Sequence, residues 1–184
     1  MKVLKTDLEG VLIIEPQVFD DARGFFLETY HRQRYHEFGI KTDFVQDNLS
    51  LSKKGSLRGL HFQHPRAQAK LVQVLQGKIF DVVLDIRLQS PSFGRWIGEY
   101  LSDANKKQIF IPKGFAHGFC VVSETALFHY KCSDFYASEC EGGINWKDPS
   151  LAIDWPIDNP IVSKKDMDLP FLSEISTDNL PPFK

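Results

Sequence analysis

Short apolar or alternating segments, separated by turn residues roughly every 8 to 12 positions, recur through most of the chain, a rhythm typical of β-sandwiches and barrels. Only residues 31–38 carry a convincing helical pattern, which Gly39 ends. Residues 119–122 and 126–132 read as strands and predict a hairpin joined around residues 123–125. The sequence therefore predicts a mainly β fold, a sandwich or barrel with few helices.

The length of 184 residues suits one domain with a substantial core. After residue 132 the chain is rich in Asp, Pro and Gly and has little regular pattern. We therefore expect a single domain over residues 1–184, with a β core at residues 10–135. Residues 136–184 are expected to wrap around that core and to contain short helices.

Charge and cysteine content exclude several classes of protein. The net charge of -2 predicts no broad basic surface for nucleic acid. No apolar run approaches the roughly 20 residues that a membrane span requires, and the N-terminus lacks a basic segment followed by an apolar run. Three cysteines without a C-x-x-C pair indicate reduced thiols. We expect a cytoplasmic protein without a nucleic-acid or membrane partner.

Residues 58–70, R-G-L-H-F-Q-H-P-R-A-Q-A-K, concentrate basic side chains and histidines just before strand-like sequence. In an extended strand residues two apart share a face, so Arg58 and His61 are expected on opposite faces. Gly59 leaves room for a close neighbour. From this stretch alone a functional site and a solvated charged loop are equally acceptable interpretations.

The sequence P-x-G-x-x-H at residues 112–117 matches the second half of the signature of cupins, which are jelly-roll β-barrels that often hold a metal. The first half of that signature needs H-x-H and a downstream Glu. Only His61 and His64 are available, and residues three apart in a strand face opposite sides. We therefore expect a cupin-type jelly roll without a metal.

A set of longer motifs is far more specific than any of these patterns. In chain order they are D-A-R-G-F-F-x-E (21–28), Q-x-N-x-S (46–50), R-G-L-H-F-Q (58–63), Q-x-K-L (68–71), F-D-V-V-x-D-I-R (80–87), S-P-S-F-G (90–94), I-P-x-G-F-A-H-G-F (111–119), Y-K (130–131) and S-K-K-D (163–166). This ordered set closely resembles the dTDP-4-dehydrorhamnose 3,5-epimerase family of nucleotide-sugar enzymes.

The resemblance implies a cofactor-free enzyme that inverts C3 and C5 of dTDP-4-dehydro-6-deoxy-D-glucose to give dTDP-4-dehydro-L-rhamnose, for dTDP-L-rhamnose biosynthesis. Removing a proton next to a ketone requires a base, a donor for the enolate oxygen and an acid on the opposite face. Matched by motif, His61 resembles the base, Lys70 the oxyanion partner and Tyr130 the acid. Asp166 resembles the carboxylate that orients His61, which predicts a hydrogen bond between them.

The same resemblance implies a set of substrate-binding residues. They are Arg23, Phe25, Glu28, Gln46, Asn48, Arg58, Lys70, His117, Tyr136, Glu141 and Lys165. An arginine such as Arg58 offers a two-pronged donor to a diphosphate, and Phe25 and Tyr136 are candidates to stack on thymine. The family also implies a homodimer in which an N-terminal strand joins the partner's sheet, so that Arg23 and Glu28 reach the partner's site.

Three other functions remain open on the sequence alone. A relative could invert a single carbon or isomerise the keto group of a related dTDP-sugar, because the same base and oxyanion partner serve all these reactions. A metal-dependent cupin oxygenase would use His61, His64 and His117. A catalytically silent sugar-binding module would keep only the binding residues.

Overall fold

The computed structural model describes residues 1–183. Its strands, numbered in chain order, are β1 Lys2–Lys5, β2 Leu12–Glu15, β3 Val18–Asp21, β4 Gly24–Leu27, β5 Gln46–Lys53, β6 Ser56–Gln63, β7 Lys70–Gln76, β8 Lys78–Asp85, β9 Trp96–Ser102, β10 Gln108–Ile111, β11 Phe115–Val121, β12 Thr125–Cys132, β13 Glu141–Gly143 and β14 Ile161–Val162. The helices are α1 Arg32–Glu37 and α2 Lys164–Met167, with short 3-10 turns at Ser138–Cys140, Leu172–Glu174 and Thr177–Asn179.

Two sheets form a sandwich, as the strand rhythm predicts. One has the order β1-β2-β10-β7-β12-β5, and the other has the order β13-β6-β11-β8-β9, with β14 pairing in parallel beside β6. The strands β3 and β4 make a separate two-stranded hairpin. Apart from β14, the registered pairs are antiparallel. The expected mainly β jelly-roll architecture is confirmed.

The main core lies between the two sheets. Inward-facing side chains of both sheets meet there, among them Val72, Ile109, Val83, Phe119 and Phe128. Alternation along each strand sends the intervening residues to the outer faces. Burial of this apolar surface holds the sheets together. Each Å² of apolar surface removed from water contributes a stabilising free energy of roughly 25 cal/mol.

Both sheets are also covered on part of their outer faces. Tyr35 of α1 packs with Ile14, Leu71 and Phe110 on the outside of the first sheet. The segment after β12 covers the second sheet, where Ile144 and other C-terminal residues pack on side chains such as Leu60, Val82 and Leu84. Parts of residues 144–180 therefore lie against the second sheet, while the division into a core and a wrapping segment stays a prediction.

The predicted helix is confirmed over Arg32–Glu37, but the predicted hairpin is wrong. The strand β11 pairs with β6 and β8, whereas β12 pairs with β5 and β7 in the other sheet. The residues around Ser123 therefore carry the chain from one sheet to the other. The same turn residues can join a hairpin or connect two sheets, because they do not specify which strand accepts the hydrogen bonds of the next one. None of the helices in residues 1–183 is long and apolar enough to cross a membrane.

Candidate active site

A cavity of about 610 Å³ opens between the two sheets. Its walls come from the six strands β5, β6, β7, β11, β12 and β14 and from the segment around α2. The polar residues that line it are Asn48, Ser50, Ser56, Arg58, His61, Lys70, His117, Tyr130, Ser163, Lys165 and Asp166. Four predicted catalytic residues and several predicted binding residues are thus brought together from distant parts of the sequence.

The expectation that Arg58 and His61 face opposite sides is wrong, because both side chains line this cavity. The pairing of β6 with β11 is irregular at this point: His61 pairs with His117 and Arg58 with Phe119. One extra residue on β6 makes a bulge, which resets the alternation of side chains. Gly59, at φ +108°, allows it, since a Cβ there would lie 2.6 Å from backbone atoms of Gly118 and His117. The predicted close neighbour of Gly59 is therefore the backbone of β11.

His61 is bound to a buried carboxylate, as predicted. Its Nε2 lies 2.7 Å from Oδ1 of Asp166, which is 3% exposed. The other oxygen, Oδ2, accepts the Gly59 N–H at 3.2 Å. Burial alone would raise the pKa of Asp166, but the contacts with His61, Gly59 and Ser163 hold it below its usual value. An ionised Asp166 accepts a hydrogen bond from the imidazole and fixes its orientation.

Lys70 and Tyr130 lie on neighbouring strands and face the same cavity. The Lys70 Nζ is 5.9 Å from the centre of the Tyr130 ring. Burial lowers the pKa of Lys70 and raises the pKa of Tyr130. Both shifts follow from loss of water around the charged form. A poorly solvated ammonium group interacts strongly with an anion that forms nearby. A tyrosine whose pKa is raised stays protonated at neutral pH and can therefore donate a proton.

Arg58 contributes a second cation to the cavity wall. Its Nε donates to Oγ of Ser52 at 3.2 Å, and Ser52 is buried. Within residues 1–183, Arg58 forms no ion pair with a carboxylate. The guanidinium group is therefore held at one nitrogen and keeps charge and donors for an anionic ligand.

His117 lines the cavity with a buried partner that sequence reasoning did not identify. Its Nε2 lies 2.9 Å from Oδ2 of Asp81, and Asp81 has no solvent exposure. The signal was present, because Asp81 interrupts an apolar strand. A carboxylate in such a strand is seldom buried without a partner. This pair supplies a second oriented imidazole in the lining of the cavity.

A chain of polar contacts joins three further predicted residues. Oε2 of Glu141 accepts from the Tyr136 hydroxyl at 2.7 Å and from Nζ of Lys165 at 2.6 Å. Burial opposes the ionisation of Glu141, yet these two contacts keep its pKa below its usual value. Lys165 lines the cavity, whereas Glu141 and Tyr136 do not. The contact between Glu141 and Lys165 connects the strand β13 to the helix α2.

The remaining predicted binding residues divide into two sets. Asn48 lines the cavity, and Gln46 beside it donates to the Asn48 Oδ1 at 3.1 Å and accepts from the Tyr136 N–H. Arg23, Phe25 and Glu28 lie in or beside the β3–β4 hairpin and do not reach the cavity of this chain. Arg23 instead bonds Asp21, and Glu28 bonds Arg34.

The three histidines that a cupin oxygenase would use do not line one cavity. His64 lies in a separate groove of about 620 Å³, so it does not converge with His61 and His117. The predicted divergence of His61 and His64 is confirmed. Among residues 1–183 no group of three or more His, Cys, Asp or Glu side chains is arranged to hold a metal ion.

Taken together, the cavity contains an oriented imidazole, a desolvated ammonium group and a protonated phenol around one open space. These are the groups needed to remove a proton beside a carbonyl, to stabilise the enolate and to return a proton. Arg58 and the amide of Asn48 line the same cavity, so an anionic or polar part of the same ligand can bind there.

Comparison with known proteins gives the same result. The sequence profile of the dTDP-4-dehydrorhamnose 3,5-epimerase family matches residues 5–174. A dTDP-4-dehydrorhamnose 3,5-epimerase from Shigella flexneri is 53% identical over 169 residues, which are 91% of this chain and 93% of the relative. A dTDP-4-dehydrorhamnose 3-epimerase from Streptomyces niveus is 40% identical over 184 residues, covering 99% and 89%.

Solved structures agree in fold over the whole length. The crystal structure of dTDP-6-deoxy-D-glucose-3,5-epimerase from Legionella pneumophila, determined in complex with dTDP-4-keto-L-rhamnose, has 50% sequence identity and a TM-score of 0.97. The alignment covers 100% of this chain and 98% of that one. The profile match, the identity and the shared structure agree with the motif order, and the chain therefore belongs to the dTDP-4-dehydrorhamnose 3,5-epimerase family.

Proposed function

We propose that this enzyme inverts C3 and C5 of dTDP-4-dehydro-6-deoxy-D-glucose, giving dTDP-4-dehydro-L-rhamnose, and that His61 is the base. The observation that carries the proposal is the 2.7 Å contact between His61 and Asp166 inside a cavity that also holds Lys70 and Tyr130. His61 removes the proton next to the C4 ketone, and Asp166 stabilises the imidazolium that results.

The electrons released at carbon move onto the C4 oxygen, where Lys70 stabilises the negative charge. Its partly desolvated position increases the value of this interaction, because the surrounding dielectric is low. Tyr130 then donates a proton to the opposite face of the carbon, which completes the inversion. His61 then loses its proton to solvent and Tyr130 regains one from solvent, after which the same steps at the second carbon give the double epimer.

Sequence identity to relatives of each kind favours epimerisation at both carbons over inversion at one. Identity is 53% to the 3,5-epimerase of Shigella flexneri and 40% to the 3-epimerase of Streptomyces niveus. The catalytic residues themselves do not distinguish the two reactions. A direct measurement of both carbons is therefore the decisive test.

The nucleotide half of the substrate is assigned to the other polar residues. Arg58 binds the diphosphate, and Asn48 and Gln46 bind the deoxyribose or thymine edges, with Tyr136 stacking on the base. His117, Glu141 and Lys165 complete the binding surface. The support is that Asn48, Arg58, His117 and Lys165 line one cavity, and that Gln46, Tyr136 and Glu141 bond to them directly or through one another.

We also propose that the enzyme works as a homodimer in which the β3–β4 hairpin brings Arg23, Phe25 and Glu28 to the partner's cavity. Phe26 on that hairpin is 70% exposed. Leu49 and Leu51, on the outer face of the edge strand β5, are 60% and 66% exposed. Exposed large apolar side chains of this kind are typical of association surfaces. The three free cysteines support a reducing compartment, the cytoplasm.

The test is incubation with dTDP-4-dehydro-6-deoxyglucose in D2O. Deuterium at both C3 and C5 of the product is expected, and deuterium at C3 alone would contradict the double inversion. The His61→Ala variant should lose incorporation and keep dTDP binding. His64→Ala is the matched control, since His64 is three residues away but lines a different groove. Full turnover by His61→Ala would refute the assignment of the base.

A further inference from the structure

Asn145 lies outside the cavity but holds the end of the helix that carries Asp166. Its Nδ2 donates to the carbonyl oxygen of Met167 at 3.1 Å and to that of Leu169 at 3.0 Å. Its own N–H donates to the carbonyl oxygen of Pro170 at 2.8 Å. Three hydrogen bonds from one residue therefore fix the chain immediately after Asp166.

The same residue is connected to the strand that carries His61. Ile144, the preceding residue, exchanges two backbone hydrogen bonds with Leu60, at 2.9 and 3.1 Å. Leu60 is the immediate neighbour of His61 in β6. Oδ1 of Asn145 accepts the Lys147 N–H at 3.0 Å, which holds the amide in the orientation that directs Nδ2 toward the helix end.

The helix itself is too short to hold Asp166 unaided. The helix α2 has four residues, and its own contacts are the Ser163 cap on the Asp166 N–H and two backbone bonds, Met167 to Ser163 and Asp168 to Lys164. Isolated helices of such length are unstable, because nucleation fixes several residues for few hydrogen bonds. External donors to the terminal carbonyls are therefore needed.

We propose that Asn145 is a positioning residue of the epimerase, which sets the distance between Asp166 and His61 by clamping the end of α2 to β6. This inference rests on the proposed function, because the dyad it positions is the one that removes the substrate proton. The hydrogen bonds of the Asn145 amide go to backbone groups outside the cavity wall, so the residue acts only through the backbone of the α2 segment.

The variant Asn145→Asp tests the clamp most sharply. Aspartate keeps the oxygen that accepts from Lys147 but removes both donors, and it places an anion against two carbonyl oxygens. Asn105→Asp is a matched control: Asn105 Nδ2 donates to the Tyr100 carbonyl at 2.7 Å, and its Oδ1 accepts the Lys107 N–H at 3.1 Å, in a turn away from the cavity.

We expect Asn145→Asp to lower kcat about tenfold or more, because a displacement below 1 Å at a catalytic group is enough for such a loss. KM should remain within about twofold and dTDP affinity unchanged, since the nucleotide contacts are not disturbed. The NMR signal of the His61 imidazole proton shared with Asp166 should broaden or shift upfield. Asn145→Ala should act in the same direction, and Asn105→Asp should change none of these.

Two results would overturn the proposal. One is an unchanged kcat and an unchanged imidazole proton signal in both Asn145 variants. The other is an equal loss of kcat in Asn145→Asp and Asn105→Asp at equal loss of thermal stability, which would identify a general structural effect. Failure of the proposed function is a separate observation: the wild-type enzyme would then incorporate no deuterium, whereas the imidazole signal would still report whether Asn145 holds the dyad.

Discussion

Among substitutions that add a single methyl group, Gly59→Ala should be one of the most harmful to the stability and activity of this enzyme. Gly59 lies in the bulge that brings Arg58 and His61 to the same cavity, and its N–H bonds Asp166. Its φ of +108° is strained for any residue with a Cβ, and the added Cβ would lie 2.6 Å from the Gly118 Cα and from the His117 carbonyl oxygen. Backbone cannot rotate away as a flexible side chain can, so the two strands must separate.

Two costs combine in this variant. A residue other than glycine at such a φ costs about 1–3 kcal/mol, and forcing additional volume into a packed interface costs about 1–3 kcal/mol more. We expect Gly59→Ala to lower the free energy of unfolding by about 4 kcal/mol, the sum of the middle values of these two ranges. That loss is a large share of the roughly 5–15 kcal/mol that stabilises a typical domain.

Two other glycines separate these contributions. Gly39 has a φ of +89°, and a Cβ added there would have no neighbour within 4 Å, so Gly39→Ala isolates the backbone cost, about 1–3 kcal/mol. A Cβ on Gly118 would lie 2.7 Å from the Arg58 carbonyl oxygen without a positive φ, so Gly118→Ala isolates the steric cost, about 1–3 kcal/mol.

Urea denaturation at neutral pH gives the three free energies of unfolding, and turnover of the folded variants gives the effect on the site. Gly59→Ala should also lose activity under conditions in which it remains folded, because the position of His61 depends on the bulge. If Gly59→Ala cost no more than Gly39→Ala and kept full turnover, the close approach of β6 and β11 would not be the reason for glycine.

Four other predictions concern the dyad, the oxyanion partner, the acid and the association surface. Because the pKa of Asp166 is held below its usual 3.8 in the folded protein, its stabilising contribution is complete at neutral pH and is lost as pH falls through the folded value; acid titration of stability below about pH 4 should therefore be steeper for wild type than for Asp166→Asn. Lys70→Met should lower kcat by about 10²–10³ and leave dTDP binding unchanged in calorimetry. Tyr130→Phe should still exchange substrate protons with D2O, since the base is intact, but should form the inverted product at least about 10²-fold more slowly. If the protein forms the proposed homodimer, Leu51→Glu should convert it into a monomer in sedimentation velocity, because it places a charge beside the exposed Leu49; an unchanged sedimentation coefficient would contradict the proposed interface.

The sequence predicts most of the strands and many of the polar residues that line the cavity. Alternation, turn residues and motif order predict the β-sandwich, the helix at residues 31–38 and the bond between His61 and Asp166. Two errors have the same cause. The hairpin at Ser123 and the opposite orientation of Arg58 and His61 were inferred from local regularity, whereas both depend on which strand lies alongside.

Long-range pairing also explains why Asp81 and Asn145 had no predicted role. Asp81 acts on His117, which is 36 residues away, and Asn145 bonds carbonyls 22 and 24 residues further along the chain. A motif identifies a side chain that bears chemistry, but it does not identify the groups that hold it in place. Those groups follow only from the register of the strands and the path of the C-terminal segment.

The edge of β6 shows how the fold and the site depend on the same contacts. Two short strands share this edge: β13 pairs with His61–Gln63 and β14 with Ser56–Leu57. Gly59 lies between them and is buried, so its N–H needs an acceptor that neither strand supplies. Oδ2 of Asp166 provides that acceptor, and Oδ1 binds His61. One carboxylate therefore completes the sheet edge and orients the base, so Asp166→Asn can preserve the edge bond while it removes the charge. At neutral pH, the rise in the activation free energy of turnover in that variant should consequently exceed the fall in its free energy of unfolding.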